Sequence, residues 1–254
     1  MRLKTLTLCL AFISAYHNGI AQKETKTDSL LQHKILLIPY DPHYYLSDAD
    51  RDISDQSNQS ATNIRSLFRS ETDRNIYRAL AQHQSCISLM EDSDANLYND
   101  AVELLSKTGF AYDTPTIKEK KKLKEKLHWP ADDKTQSDSR TASQYVNDDV
   151  SKKYMKAILY KPELLQNMAT KYDFNLFVFV TQFEIKTNYA SCIDIANKIY
   201  KREIFLHFTV YDSDGNLVAG NFSKTSFPSD SNNANKIIGE CFPQLAEGIV
   251  NSIE

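Results

Sequence analysis

The sequence predicts a mixed α/β fold: a mixed sheet with helices packed on it, a C-terminal antiparallel hairpin, and a long polar insertion at about 110–160. Three observations predict it. Apolar runs at Ile35–Ile38 and Asn175–Ile185 have the composition of strands covered on both faces. Stripes at helical spacing lie between them and after them. An Asp-Ser-Asp-Gly-Asn turn joins two alternating segments late in the chain.

The elements follow in order. Ile35–Ile38 is short and continuous, and Pro39 removes a ladder donor at its end. Residues 46–62 are rich in Ser, Asp and Asn and read as a loop. Ile64, Leu67, Phe68, Ile76 and Leu80 recur near helical spacing, which predicts a helix over 63–84. Residues 86–90 (CISLM) read as a short strand. Leu97, Ala101, Leu104 and Leu105 share one face of a second helix, with Gly109 placed as its C-terminal glycine.

The middle is polar. Residues 116–128 (TIKEKKKLKEKLH) carry six lysines against two glutamates, and a solvated helix face is preferred to a basic binding patch. Residues 131–149 read as a loop or linker.

After it, Pro162 opens a helix containing Leu164, Leu165 and Met168. In the strand that follows, Leu176, Val178 and Val180 face one way, and Phe177, Phe179 and Phe183 the other. Ile204, Leu206, Phe208 and Val210 line one face of the next strand. Gly215 supplies the hairpin's positive φ, and Leu217–Phe227 returns antiparallel. A last helix over 232–252 contains Pro243, which is expected to kink or split it.

The first residues have the layout of a secretory signal peptide, 1–21: Arg2 and Lys4, an apolar stretch from Leu6 to Ala15, then small residues before Gln22. The stretch is shorter than the roughly 20 residues of a membrane-spanning helix. The expected product, 22–254, is a single α/β domain, periplasmic or secreted, with no transmembrane segment. Losing Arg2 and Lys4 takes the formal charge from −3 to −5, which disfavours nonspecific nucleic-acid binding. Cys86, Cys192 and Cys241 then remain; the count permits one disulfide and a leftover thiol, or none, and three partly buried small hydrophobes is the preferred reading.

The opening "ILLIPY", the "KYDFNLFVFVTQFEI" block and the "FLHFTVYDSDGNLVAG" hairpin resemble periplasmic envelope domains of the curli-secretion, penicillin-binding-protein activator and TolB N-terminal type, and secreted proteins of Bacteroidota. The resemblance covers about two-thirds of the chain after the signal segment and implies a non-enzymatic role in binding an envelope partner. It supplies no catalytic residue. The chain departs from the pattern in its large insertion and in lacking the lipid-anchor cysteine common in those relatives.

The candidate chemistry lies just past the first strand, where ligands collect in open α/β sheets. Asp41, His43, Asp48, Asp50 and Asp52 supply carboxylates and an imidazole there. His43 with Asp41 would serve acid–base catalysis in a periplasmic hydrolase. Asp48, Asp50 and Asp52 would hold a divalent metal. Against a calcium loop, Ile53 stands where glycine is needed and Gln59 where a glutamate is. The preferred reading gives these residues turn and capping duties, with Tyr44, Tyr45 and Leu46 packed on the sheet edge. Asp212 and Asp214 read as turn residues, His207 as a surface or hydrogen-bonded histidine, and Cys192 as part of a polar turn between strands. No cofactor is expected. The expected function is an exported envelope accessory or binding protein that acts through protein–protein contact without catalysis.

Overall fold

A computed structural model describes residues 34–115 and 153–253. The proposed signal segment, the lysine-rich stretch 116–128 and the polar stretch 131–149 lie outside the described residues. The chain is mixed α/β. Its main sheet has the order β3-β1-β6-β7-β8, from Lys34–Ile38 (β1), Ser85–Ser88 (β3), Leu176–Asp194 (β6), Ile199–Asp212 (β7) and Leu217–Pro228 (β8). A sixth strand, Tyr45–Ser47 (β2), pairs with β6. The apolar runs near the two ends of the chain meet here, for Leu36 pairs with Phe177 and Leu37 with Val178.

β1, β2 and β3 run parallel to their partners, while β6, β7 and β8 are antiparallel. From β1 the chain reaches β3 on one side through helices Asp50–Ser57 (α1) and Ala61–Ala81 (α2). It then crosses to β6 on the other side of β1 through Ala95–Ser106 (α3), strands Thr108–Asp113 (β4) and Tyr154–Leu159 (β5), and Pro162–Tyr172 (α4). β1 is therefore the switch point of a doubly wound half-sheet. The last helix is Ala234–Ile253 (α5).

Strand alternation sorts the core. Ile35, Leu37, Val178, Leu206 and Phe208 face a layer that includes Phe68, Ile76, Phe242 and Ile249 of α2 and α5. Leu36, Ile38, Phe177 and Phe179 face a layer that includes Leu97, Leu104, Leu165 and Met168 of α3 and α4. Ser60 caps α2, its hydroxyl accepting from Asn63 N–H at 3.2 Å. Asp94 caps α3 by accepting from Asn96 N–H at 2.8 Å.

Five local expectations are corrected. Residues 46–62 are no loop: they hold part of β2, all of α1 and the start of α2. Gly109 does not end α3, which is capped at Lys107; it lies in β4, where a Cβ would fall 2.3 Å from the Tyr160 hydroxyl. Phe183 shares its face with Val178 and not with Phe177. A bulge between Val180 and Gln182 shifts the period, so Thr181 is the extra residue. The expected insertion is ordered at both of its edges, since β4 and β5 pair antiparallel. α5 runs through Pro243 as one helix, so it is not split there.

Candidate functional site

The segment after β1 does not leave the sheet. It makes an excursion over Pro39–Tyr44 and returns as β2 on the same edge of β6. Asp41 caps the 3-10 turn Pro42–Tyr44, accepting from His43 N–H at 2.8 Å, and the His43 Nδ1 lies 2.6 Å from the same carboxylate oxygen. Asp41 and His43 are thus brought together, with side chains 54% and 91% exposed. The hydrogen bond from His43 N–H is the main cause holding the Asp41 carboxyl below its usual range.

The other aspartates each go to a different partner. Asp48 accepts from Thr187 N–H at 2.8 Å and pins β2 to β6. Asp50 accepts from the Tyr45 hydroxyl at 2.8 Å and from Arg65 Nε at 2.8 Å. Asp52 pairs with Arg202, whose side chain is buried between β7 and α1. Among the described residues no group of three or more His, Cys, Asp or Glu gathers in metal-binding fashion. Tyr45 is buried and stacks on Phe183 at 5.5 Å, while Leu46 is exposed.

Beyond the C-terminal ends of β1 and β3, beside Phe179 and Val180 near the start of β6, the fold opens a cavity of about 440 Å³. Its walls include Ile38, Leu89, Leu105, Phe110 and Phe179, and its two charged groups are Asp41 and Arg69. Arg69 is held by one hydrogen bond, from Nε to the Tyr40 carbonyl at 2.8 Å. Asp41 feels the Arg69 charge, yet no ion pair joins them. One turn along α2, the buried Asp73 accepts from the Ser88 hydroxyl, and desolvation raises its carboxyl to about 6.

A second cluster of buried polar groups lies where β5 crosses the far face of β6 and β7. β4 satisfies one edge of β5; side chains rising from the sheet satisfy the other. Met155 N–H donates to His207 Nδ1 at 2.9 Å, and Ala157 N–H donates to Thr209 Oγ1 at 3.0 Å. The Thr181 and Tyr211 hydroxyls donate to the Met155 and Ala157 carbonyls. His207 is therefore a buried, hydrogen-bonded residue, and desolvation lowers its pKa to about 4. Being an acceptor at Nδ1 fixes the neutral tautomer with its proton on Nε2. A small cleft of about 100 Å³ beside it is lined by Tyr112, Glu184, Lys186 and Glu203.

The third feature is an arm. β2 stops pairing with β6 at Ile185, and β8 stops pairing with β7 at Lys201. Beyond them, among the described residues, β6 and β7 pair only with each other as far as Asp194 and Ile199. Lys198 turns the tip with φ 53°. Tyr189, Ile193 and Ile195 stand 71%, 56% and 85% exposed along it. Cys192 lies in this strand pair and not in a polar turn; it is an exposed free thiol. Cys86 and Cys241 are also free, and burial pushes their thiols up to about 12 and about 11.

The sequence signalled the β1 exit but not Arg69, Asp73 or the role of His207. Arg69 and Asp73 sit on a helix whose stripe looks like any core helix. His207 carries the polar phase of an alternating strand, which normally faces water. The arm had a signal: Tyr189, Ile193, Ile195 and Tyr200 put apolar residues in what otherwise reads as a turn. No protein-family model, curated protein or solved structure matches this chain.

Proposed function

We propose that this chain is an exported envelope accessory protein that acts by contact with a protein partner and not by catalysis. The observation that carries the reading is the arm, with Tyr189, Ile193 and Ile195 exposed on a strand pair that continues beyond the central sheet. Exposed apolar side chains gathered on one projecting element mark an interaction surface. The occupant is an apolar cleft of a partner protein. A lipid surface fits less well, because Asp194 sits at the tip among the isoleucines. Its carboxyl is held below the usual range by hydrogen bonds, first from the Asn197 side chain. No transmembrane helix is needed for this role, and among the described residues no helix is long and apolar enough to cross a membrane.

Cys192 supplies the test. A thiol-directed photocrosslinker labels this exposed cysteine of the exported chain in preference to Cys86 and Cys241. In envelope extracts of the source cells, one discrete adduct is expected. It should disappear when Tyr189, Ile193 and Ile195 are all changed to Ser. An adduct that survives the triple change, or arm-dependent binding to lipid vesicles with no protein adduct, would overturn the reading.

A further inference from the structure

The cavity beyond the ends of β1 and β3 is separate from the arm and carries its own inference. Three of its properties restrict what it can hold. Its volume, about 440 Å³, is that of a small-molecule site. Most of its wall is apolar and comes from five elements, with Leu89 and Phe179 buried and Phe110 half-buried. Its charged groups are one cation and one anion that do not pair with each other.

Arg69 and Asp41 are both committed on one side and open on the other. Arg69 Nε is fixed by the Tyr40 carbonyl, and among the described residues its two Nη groups have no partner. That leaves a guanidinium oriented by the backbone with donors spare for a carboxylate. Asp41 Oδ1 is taken by His43, and Oδ2 has no partner among the described residues. The Asp41 carboxyl stays ionised through its bonds from His43 and the nearby Arg69 charge. A simple anion would be drawn to Arg69 and repelled by Asp41; a simple cation would meet the reverse. A molecule carrying both charges on an apolar body satisfies both groups and fills the wall.

We infer that this cavity binds a zwitterion with an apolar body, its carboxylate on Arg69 and its ammonium on Asp41. Two sources share that chemistry: a free apolar α-amino acid and a short apolar peptide with free ends. The site lies at the switch point of the parallel half-sheet, where strand carboxyl ends leave a crevice. Tyr98 and Val102, one helical turn apart on α3, are exposed at its mouth.

Calorimetric titration of the exported chain with L-phenylalanine, L-leucine and Leu-Leu tests this. Saturable binding of at least one is expected, and which one binds separates amino acid from peptide. N-acetyl-phenylalanine and phenylalaninamide each lack one charge and should bind at least tenfold more weakly than phenylalanine; the acetylated and amidated dipeptides serve if only Leu-Leu binds. Arg69→Gln and Asp41→Asn should each weaken binding at least tenfold, and Val102→Glu should obstruct the mouth. Asp41 and Val102 are exposed, so those variants keep the test intact if Arg69→Gln does not fold. No saturable heat with any of the three probes overturns the proposal. So does equal binding by the blocked analogues, or undiminished binding by Asp41→Asn and Val102→Glu. Arm variants should leave these titrations unchanged, so failure here and failure of the partner reading are distinguishable.

Discussion

The two faces of the main sheet solve the same burial problem by different means. On one face α1, α2 and α5 lie over a layer that includes Leu37, Val178, Phe183, Leu206 and Phe208. A helix satisfies its own backbone, so side chains beneath it need only be apolar and well shaped. On the other face α3 and α4 cover only the parallel half. Over the antiparallel half lies β5, pressed onto the sheet with one edge that pairs with no strand among the described residues. Its amides and carbonyls cannot be left dry, and His207, Thr209, Thr181 and Tyr211 rise from the sheet to meet them. The polar residues buried in β6 and β7 are thus a consequence of what covers them.

The largest effect should come from the helix-covered face. Phe183 is fully buried and touches the rings of Tyr40, Tyr45, Phe68 and Phe242. Phe183→Ala should cost about 3–5 kcal/mol in denaturant unfolding, as for other buried aromatics. A loss below about 1 kcal/mol would show that this face is not a packed apolar core. Next in size is Gly220 of β8, on which the buried Tyr154 of β5 rests. A Cβ there would lie 1.9 Å from the Tyr154 hydroxyl, so Gly220→Ala should cost about 1–3 kcal/mol by forcing β5 outward. Amide exchange should then quicken at Met155 and Ala157 while α2 and α5 keep their protection. Uniform loss across both faces would break the comparison. Smaller again is Thr209→Val, which keeps the shape and removes the acceptor for Ala157 N–H. It should cost about 1–2 kcal/mol. The same change at a helix-covered position, Val210→Thr, should reverse the chemistry and also destabilise, because no strand there offers a partner.

This contrast explains what was legible in the sequence. Where helices cover the sheet, periodicity alone places the elements: Ile204, Leu206, Phe208 and Val210 face the core in one phase of β7. The helices α2, α3 and α4 follow the same rule, and α1 is the exception. α1 was hidden because DRDISDQS buries Ile53 alone and is held by Asp50 and Asp52 pairing with Arg65 and Arg202, residues far apart in sequence. The other phase of β7 reads Phe205, His207, Thr209, Tyr211, which looks half-exposed. It is buried because β5 arrives from another part of the chain, and nothing local to β7 announces that. The bulge at Thr181 likewise moved Phe183 to the opposite face from the one that strict alternation gives. Of the candidate site, the β1 exit and Asp41 were readable from the strand-end composition. Arg69 was not, since its partner is a backbone carbonyl and its use depends on a cavity that only the assembled crossover encloses.

The pH dependence of stability is the most discriminating measurement, because it sets the two faces against each other. Asp73 is an ionisable residue of α2 buried on the helix-covered side, and His207 its counterpart under β5. Desolvation lowers His207 from 6.5 to about 4. Between those values the unfolded chain holds the proton and the native one does not, so His207 stabilises fully above 6.5 and loses that contribution as the pH falls. Desolvation raises Asp73 from 3.8 to about 6. There the native chain holds the proton, so its contribution is present below 3.8 and is lost as the pH rises through 6. Each swing is about 3 kcal/mol at most, and they are opposed over nearly the same window. The contributions of these two groups to the wild type's unfolding free energy should therefore largely cancel from pH 6.5 to pH 4. Asp73→Asn removes the compensating limb, so the variant should lose stability on acidification through that range. His207→Gln should instead gain. If both variants kept the profile of the wild type, neither group would be buried as described, and the polar seam under β5 would have to be wet.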